Sequence, residues 1–306
     1  MRDIIFESGR IKSLEKKFLS RSNFERIIES PDFKSSLSEV EKGFYKLQNI
    51  TSSQQIIKFF ENEKEKLIRE IEGSLAENLA NFFKIKYDFH NLKVFVKEKF
   101  GIRGKEIYSF SGIVDPYSLK YSLENRDFDV LPEILRDTIR EFVSLKTDNP
   151  QIYFSFLNKK YYQLLKSIIG KEKNEFLNGY LSIEIDFANI SFFLFKKSSN
   201  IKEELIEGGN IHLDKFIDEE TLWKSLKEVY PEVGVPLKER DFEKFKNRVI
   251  IDFLKEARKK GYGVEVVFSY FVARQIEMEN LQRILIGKFY NLPSEILKEW
   301  IINCYF

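Results

Sequence analysis

Cysteine is nearly absent from this chain. Cys304 is its single example, so no internal disulfide can form and no thiolate pair can grip a metal, which fits a reducing compartment. Histidine is almost as scarce: His90 and His212 stand far apart, and no spacing joins them into a metal site or an acid–base pair. Each reads as a structural or surface residue. Long apolar runs are missing too. The best, VVFSYFVA at Val266–Ala273, falls well short of the roughly 18 residues a spanning helix needs. The opening MRDIIFESGR carries Asp3, Glu7 and Arg10 where a secretory leader would be apolar. Neither sign of charge dominates. With 50 basic and 48 acidic residues the net charge is +2, which gives no electrostatic reason to expect nucleic acid as a partner.

Only seven prolines and 14 glycines interrupt the 306 residues, so long helices are possible, and 43% hydrophobic with 15% aromatic residues argues against disorder. Apolar residues recur at three- and four-residue steps over Glu265–Phe289, the pattern of a helix with a broad apolar face. Similar patterns cover Asp3–Leu19, Ser53–Ile71, Leu75–Lys99, Leu131–Leu145, Ile152–Ile169, Asn174–Lys197 and Asp241–Lys259. Gly261 and Gly263 end one helix before Val264 starts the next, and Pro293 with Ser294 opens a last one to about Ile302. Strand-like alternation is rare. The expected fold class is all-α.

Within these helices one frame appears three times: an acid, two residues, Asn, then an aliphatic, at Asp88–Leu92, Asp186–Ile190 and Glu277–Leu281. The acids are 98 and 91 residues apart. Each copy also has an aromatic six residues before the acid (Phe82, Tyr180, Phe271) and a Lys eight after the Asn (Lys99, Lys197, Lys288). A second recurrence has a similar period: Leu19 with Phe24, Val114 with Leu119, and Ile211 with Phe216, across Ser20, Asp115 and Asp214. Those small polar residues suit helix N-caps. Three similar helical units follow, over residues 1–107, 108–205 and 206–306.

No motif for chemistry survives inspection. Phe100–Glu106, FGIRGKE, has two residues between its glycines and Glu106 after the Lys, whereas a phosphate loop needs four residues and then Ser or Thr. Gly208-Gly209 lacks a third glycine and a preceding strand, so it is no dinucleotide fingerprint. No catalytic residue, cofactor or metal ligand is therefore assigned. Asn91, Asn189 and Asn280, with Asp88, Asp186 and Glu277, read as buried polar groups that fix packing, and contact with a partner at three related places is the other reading. Lys97, Lys99, Lys196, Lys197 and Lys288 complement helix C-termini or, alternatively, form a partner-facing basic rim.

The three motifs, in order, resemble those of the C subunit of the bacterial and archaeal V/A-type ATP synthases, a family related to the d subunit of eukaryotic vacuolar proton pumps. The resemblance extends to Phe6–Ile28, FESGRIKSLEKKFLSRSNFERII, and to Asn291-Leu292-Pro293 after the last motif. Glu279 and Gln282 stand beside the last Asn-Leu, where the family tends to carry Arg, and Phe195 stands near a second such place.

The resemblance implies a funnel of three similar helical domains around a pseudo-threefold axis. Such a subunit neither binds nucleotide nor does chemistry. It lies on the cytoplasmic side of the membrane as a single copy in a larger complex, between a rotor ring of proteolipid subunits and the central-shaft subunits of D and F type. Through it torque passes, coupling H+ or Na+ transport to ATP synthesis or hydrolysis. The rival reading is an open helical-repeat scaffold for an unrelated complex, whose known periods of about 20 to 50 residues are roughly half of this one or less.

Overall fold

A computed structural model describes residues 3–47, 49–102, 107–195, 204–231, 239–302 and 304–305. Among them there are α-helices, short 3-10 turns and no strand. The chain divides into two compact units, Met1–Leu75 with Val233–Phe306, and Ala76–Glu232.

The first unit is built on one central helix. It contains α1 (Ile4–Leu14), α2 (Arg21–Glu29), α3 (Phe33–Val40) and α4 (Ser53–Ser74) from the early part of the chain. Its later helices are Glu239–Arg258, Val264–Phe289 and Ser294–Glu299. The middle one of these packs against all the others in the unit. Seventeen of its 26 residues are buried, so it is apolar nearly all round, as a helix inside a core must be. Asn291 adopts a left-handed conformation after it (φ 56°), and Leu292 N–H bonds back to the Gly287 carbonyl at 3.0 Å. Pro293 cannot continue the helix, and the chain turns into the short helix beyond. Gly287 carries no Cβ because Leu297 and Trp300 of the returning chain fill that space.

The second unit holds α5 (Glu77–Lys99), α6 (Pro116–Asn125), α7 (Glu133–Ser144), α8 (Pro150–Glu172), α9 (Glu175–Phe195) and α10 (Glu219–Val229). The three late helices of the first unit are then α11, α12 and α13 in chain order. Helix α5 lies along α8, and α8 packs also on α7 and α9. Asp115 caps α6 by accepting from the amides of Tyr117 and Ser118, with Pro116 at the first helical position. Asn149 and Pro150 open α8 in the same way.

Several helix bounds differ from the sequence expectations, and at three places the physical reason is plain. The first helix ends at Leu14, not Leu19, and passes through a 3-10 turn at Glu15–Lys17 into extended Phe18 (φ −61°, ψ 143°). That frees the Leu19 amide, and Ser20 then caps α2 in a capping box with Asn23. Asp214 is not an N-cap: it falls inside a 3-10 turn, Leu213–Lys215, and Asp218 caps the helix that follows. The last helix stops at Glu299, and the tail buries Ile301, Ile302 and Tyr305 in the core. There Arg258 donates to the Tyr305 carbonyl at 2.8 Å.

Candidate functional site

The two recurrences found in the sequence meet in space. Each motif acid accepts the backbone N–H of the apolar residue that opens a later or earlier segment: Asp88 that of Val114 at 3.0 Å, Asp186 that of Ile211 at 2.9 Å, and Glu277 that of Leu19 at 2.7 Å. The third pairing runs backwards along the chain and joins its early and late segments within one unit. Each acid is buried, so each clasp is a charge-assisted or acid hydrogen bond away from water.

In the first clasp the other carboxylate oxygen of Asp88 takes the Ile113 amide at 2.8 Å. Three residues on, Asn91 holds both backbone groups of Ser109, its Nδ2 donating to the carbonyl and its Oδ1 accepting the amide, each at 2.8 Å. The second clasp repeats this: Asn189 holds Ile206 by the same pair of bonds at 2.8 Å. Asp186 adds Asn210, through both backbone and side chain, and the Tyr230 hydroxyl at 2.6 Å. Gly112 and Gly209 lie two residues before the clasped amide, and a Cβ at either would run into the carboxylate. The backbone approaches so closely only because glycine is there.

The third clasp is assembled differently. Glu277 pairs with Leu19 and with the Tyr45 hydroxyl at 2.9 Å. Lys17 occupies the position of the two glycines. Arg274, one helical turn back, is itself buried, with its guanidinium over the Phe44 ring at 3.5 Å. Asn280 Oδ1 is buried without a protein donor.

Burial sets the charge state of these acids. Loss of solvent raises Asp88 to about 6, against the pull of the Ile113 and Val114 amides. It raises Asp186 as well, opposed first by the Tyr230 hydroxyl. Glu277 is pushed by burial to about 7, opposed by the charge of Arg274 and by its bonds to Leu19 and Tyr45.

Two of the candidate lysines, Lys288 and Lys99, make local contacts. Lys288 donates to the carbonyls of Ile28 and Ser30 at 2.5 and 2.6 Å, closing the C-terminus of α2. Lys99 reaches the Tyr153 hydroxyl at 3.2 Å and lies over that ring. Lys97 lines an open depression with His90 and Lys93. Lys196 and Lys197 lie outside the described residues. His90 contacts the Ile107 carbonyl at 2.9 Å, and exposed His212 pairs with Asp214 at 3.0 Å. Burial pushes the Cys304 thiol up to about 12, well away from a reactive thiolate. Among the described residues no cluster of His, Cys, Asp and Glu could hold a metal ion, and no helix is long and apolar enough to cross a membrane.

Sequence reasoning missed Tyr45, Tyr230, Ser109 and Ile206. The hydroxyls and clamped backbone groups leave no residue-type pattern. Gly112 and Gly209 did leave one, since each precedes the paired aliphatic by two residues.

This buried, repeated polar framework runs through nearly the whole chain, and so does the relationship to known proteins. The C subunit of the A-type ATP synthase of Methanocaldococcus jannaschii is 22% identical over 346 residues, covering 97% of this chain and 86% of the relative. The C subunit of the V-type sodium ATPase of Enterococcus hirae is 22% identical over 327 residues, covering 96% and 97%. The model of the ATP synthase (C/AC39) subunit family matches residues 8–300, and the chain therefore belongs to that family, as a C subunit of a V/A-type ATPase.

Proposed function

We propose that this protein is a non-catalytic part of the central stalk, linking the D- and F-type shaft subunits to the proteolipid rotor ring on the cytoplasmic side and passing torque between them. The observation that carries the reading is the family match across residues 8–300. The clasps support it mechanically. A torque coupler must resist shear between its helices, and a buried carboxyl tied to backbone amides fixes a connecting segment to a helix more stiffly than apolar contact alone. The Glu277–Leu19 bond ties residues 258 positions apart. We take the chain as three similar units, over 1–107, 108–205 and 206–306, forming a funnel about a pseudo-threefold axis. Rim charges, Lys97 first among the described lysines, then tune association and its salt dependence more than final affinity.

The test is a binding measurement with purified rotor ring and purified shaft subunits, each against this protein at low and high salt. Both bind at low salt, and at least one contact weakens as salt rises. Failure of both to bind at low salt would refute the role. A small-angle scattering profile of an extended curved rod would favour the open scaffold instead.

A further inference from the structure

The third clasp differs from the other two in reach. Gly112 and Gly209 bring the backbone into contact with the short carboxylates of Asp88 and Asp186. Where the third copy has Lys17, the acid is longer by one methylene, and Glu277 spans to Leu19 at 2.7 Å. The asparagine has gained no such length. Asn91 and Asn189 each receive an amide from the residue five positions before the clasped one, at 2.8 Å. For Asn280 that residue is Leu14, the last of α1, whose amide belongs to the helical ladder. Asn280 is only 2% exposed, and no protein donor reaches its Oδ1.

Asn280 and Glu277 both line a small cavity, together with Leu19, Cys304 and Tyr305. Its volume, measured as the space open to the centre of a water molecule, is about 10 Å³, close to what a single buried water requires. The lining provides polar partners: the Asn280 oxygen and the Glu277 carboxyl, whose oxygens keep lone pairs beyond their bonds to Leu19 and Tyr45. An apolar cavity of this size would stay dry, but one bounded by an unmet acceptor does not.

We propose that one buried water molecule completes the third clasp, donating to Asn280 Oδ1 and to the Glu277 carboxyl, in place of the backbone amide that Asn91 and Asn189 receive. The acid's extra methylene keeps the clasp closed across a wider gap, and the water fills the part of that gap the asparagine cannot reach.

Two measurements on the full chain test this, a high-resolution crystal structure and the count of long-lived internal waters from oxygen-17 relaxation dispersion. Both are made on the wild type and on Asn280→Gln, whose longer amide enters the cavity. The expected result is one density peak within hydrogen-bond distance of both Asn280 Oδ1 and Glu277, absent in the variant, with the solution count lower by one. A cavity without density, an Asn280 oxygen bonded to a protein donor, or an unchanged count overturns the proposal. The wild-type structure decides even if the variant does not fold.

Discussion

Two clasps lie within residues 76–232, and the third joins Glu277 to Leu19; they solve one problem with different materials. In the first two, a short acid meets a glycine-bearing backbone and two consecutive amides. In the third, a long acid meets a single amide and a tyrosine hydroxyl. Acid length and the residue two before the clasped amide therefore form a matched pair: Asp with Gly, Glu with Lys. The second partner matters as much. A backbone amide can only donate, whereas a hydroxyl can turn and accept.

The largest effect expected from this comparison is at the glycines. Gly209→Ala and Gly112→Ala put a methyl group against the carboxylate of Asp186 or Asp88, and neither backbone nor buried acid can give way cheaply. Each should cost about 4 kcal/mol or more in urea unfolding. Lys17→Gly, at the equivalent position, should stay within about 1 kcal/mol. Equal losses at all three positions would show that the pairing of length with glycine is not what holds the clasps.

Next come the asparagines. Asn189→Leu leaves the Ile206 amide and carbonyl unpaired, a loss of about 3 kcal/mol for two buried groups. Asn280→Leu strands no protein donor on the Oδ1 side and should cost about 1 kcal/mol. Thermal or chemical unfolding of the two variants side by side measures the difference, and a larger loss at Asn280 would reverse the ranking of the clasps.

Protonation comes third. Asp88 and Glu277 have folded pKa values of about 6 and about 7, above the ordinary 3.8 and 4.5, so the folded state binds more protons than the unfolded one between those limits. The stability they contribute is full below about pH 4 and is lost as pH rises through 6 and then 7, on the order of 3 kcal/mol for each acid. Glu277→Gln should flatten the upper part of that fall, seen in unfolding midpoints between pH 5 and pH 8. A variant that keeps the wild-type slope there would place the titration elsewhere.

The long helices were legible because their causes are local. Periodicity outlined α4, α5, α8, α9, α11 and α12, and Ser20 and Asp115 are N-caps as their position before an apolar run implies. Short α3 escaped, since eight residues give too few turns for a period to stand out, and α10 showed only through a cap, expected at Asp214 and found at Asp218. The polar framework was half legible. Its acids and asparagines recur in the chain, and so do Leu19, Val114 and Ile211, but a sequence does not say which acid meets which amide. The repeat attached Val114, Ile211 and Leu19 to the motifs that follow them at Asp186, Glu277 and Asp88, yet their amides go to Asp88, Asp186 and Glu277, the last across 258 residues. That pairing depends on the fold bringing residue 19 to residue 277, a non-local fact. The tyrosine partners depend on it too.

The smallest and most discriminating effect separates the acids themselves at pH 5, where both are largely protonated. A protonated carboxyl still offers two oxygens, so at that pH the Asp88 side chain can satisfy both Ile113 and Val114. Asp88→Asn replaces one oxygen with an NH2 group that faces a backbone donor, and neither can reverse, so the variant should lose about 2 kcal/mol. Glu277→Gln keeps an oxygen for the Leu19 amide and presents its NH2 to Tyr45, whose hydroxyl rotates to accept it. The loss there should be below about 1 kcal/mol, and Tyr45→Phe combined with Glu277→Gln should expose it by removing the group that adapts. Urea unfolding of the two amide variants at pH 5 decides the matter: equal costs would mean that the hydroxyl is held as rigidly as a backbone amide, and the two kinds of clasp would then differ in reach alone.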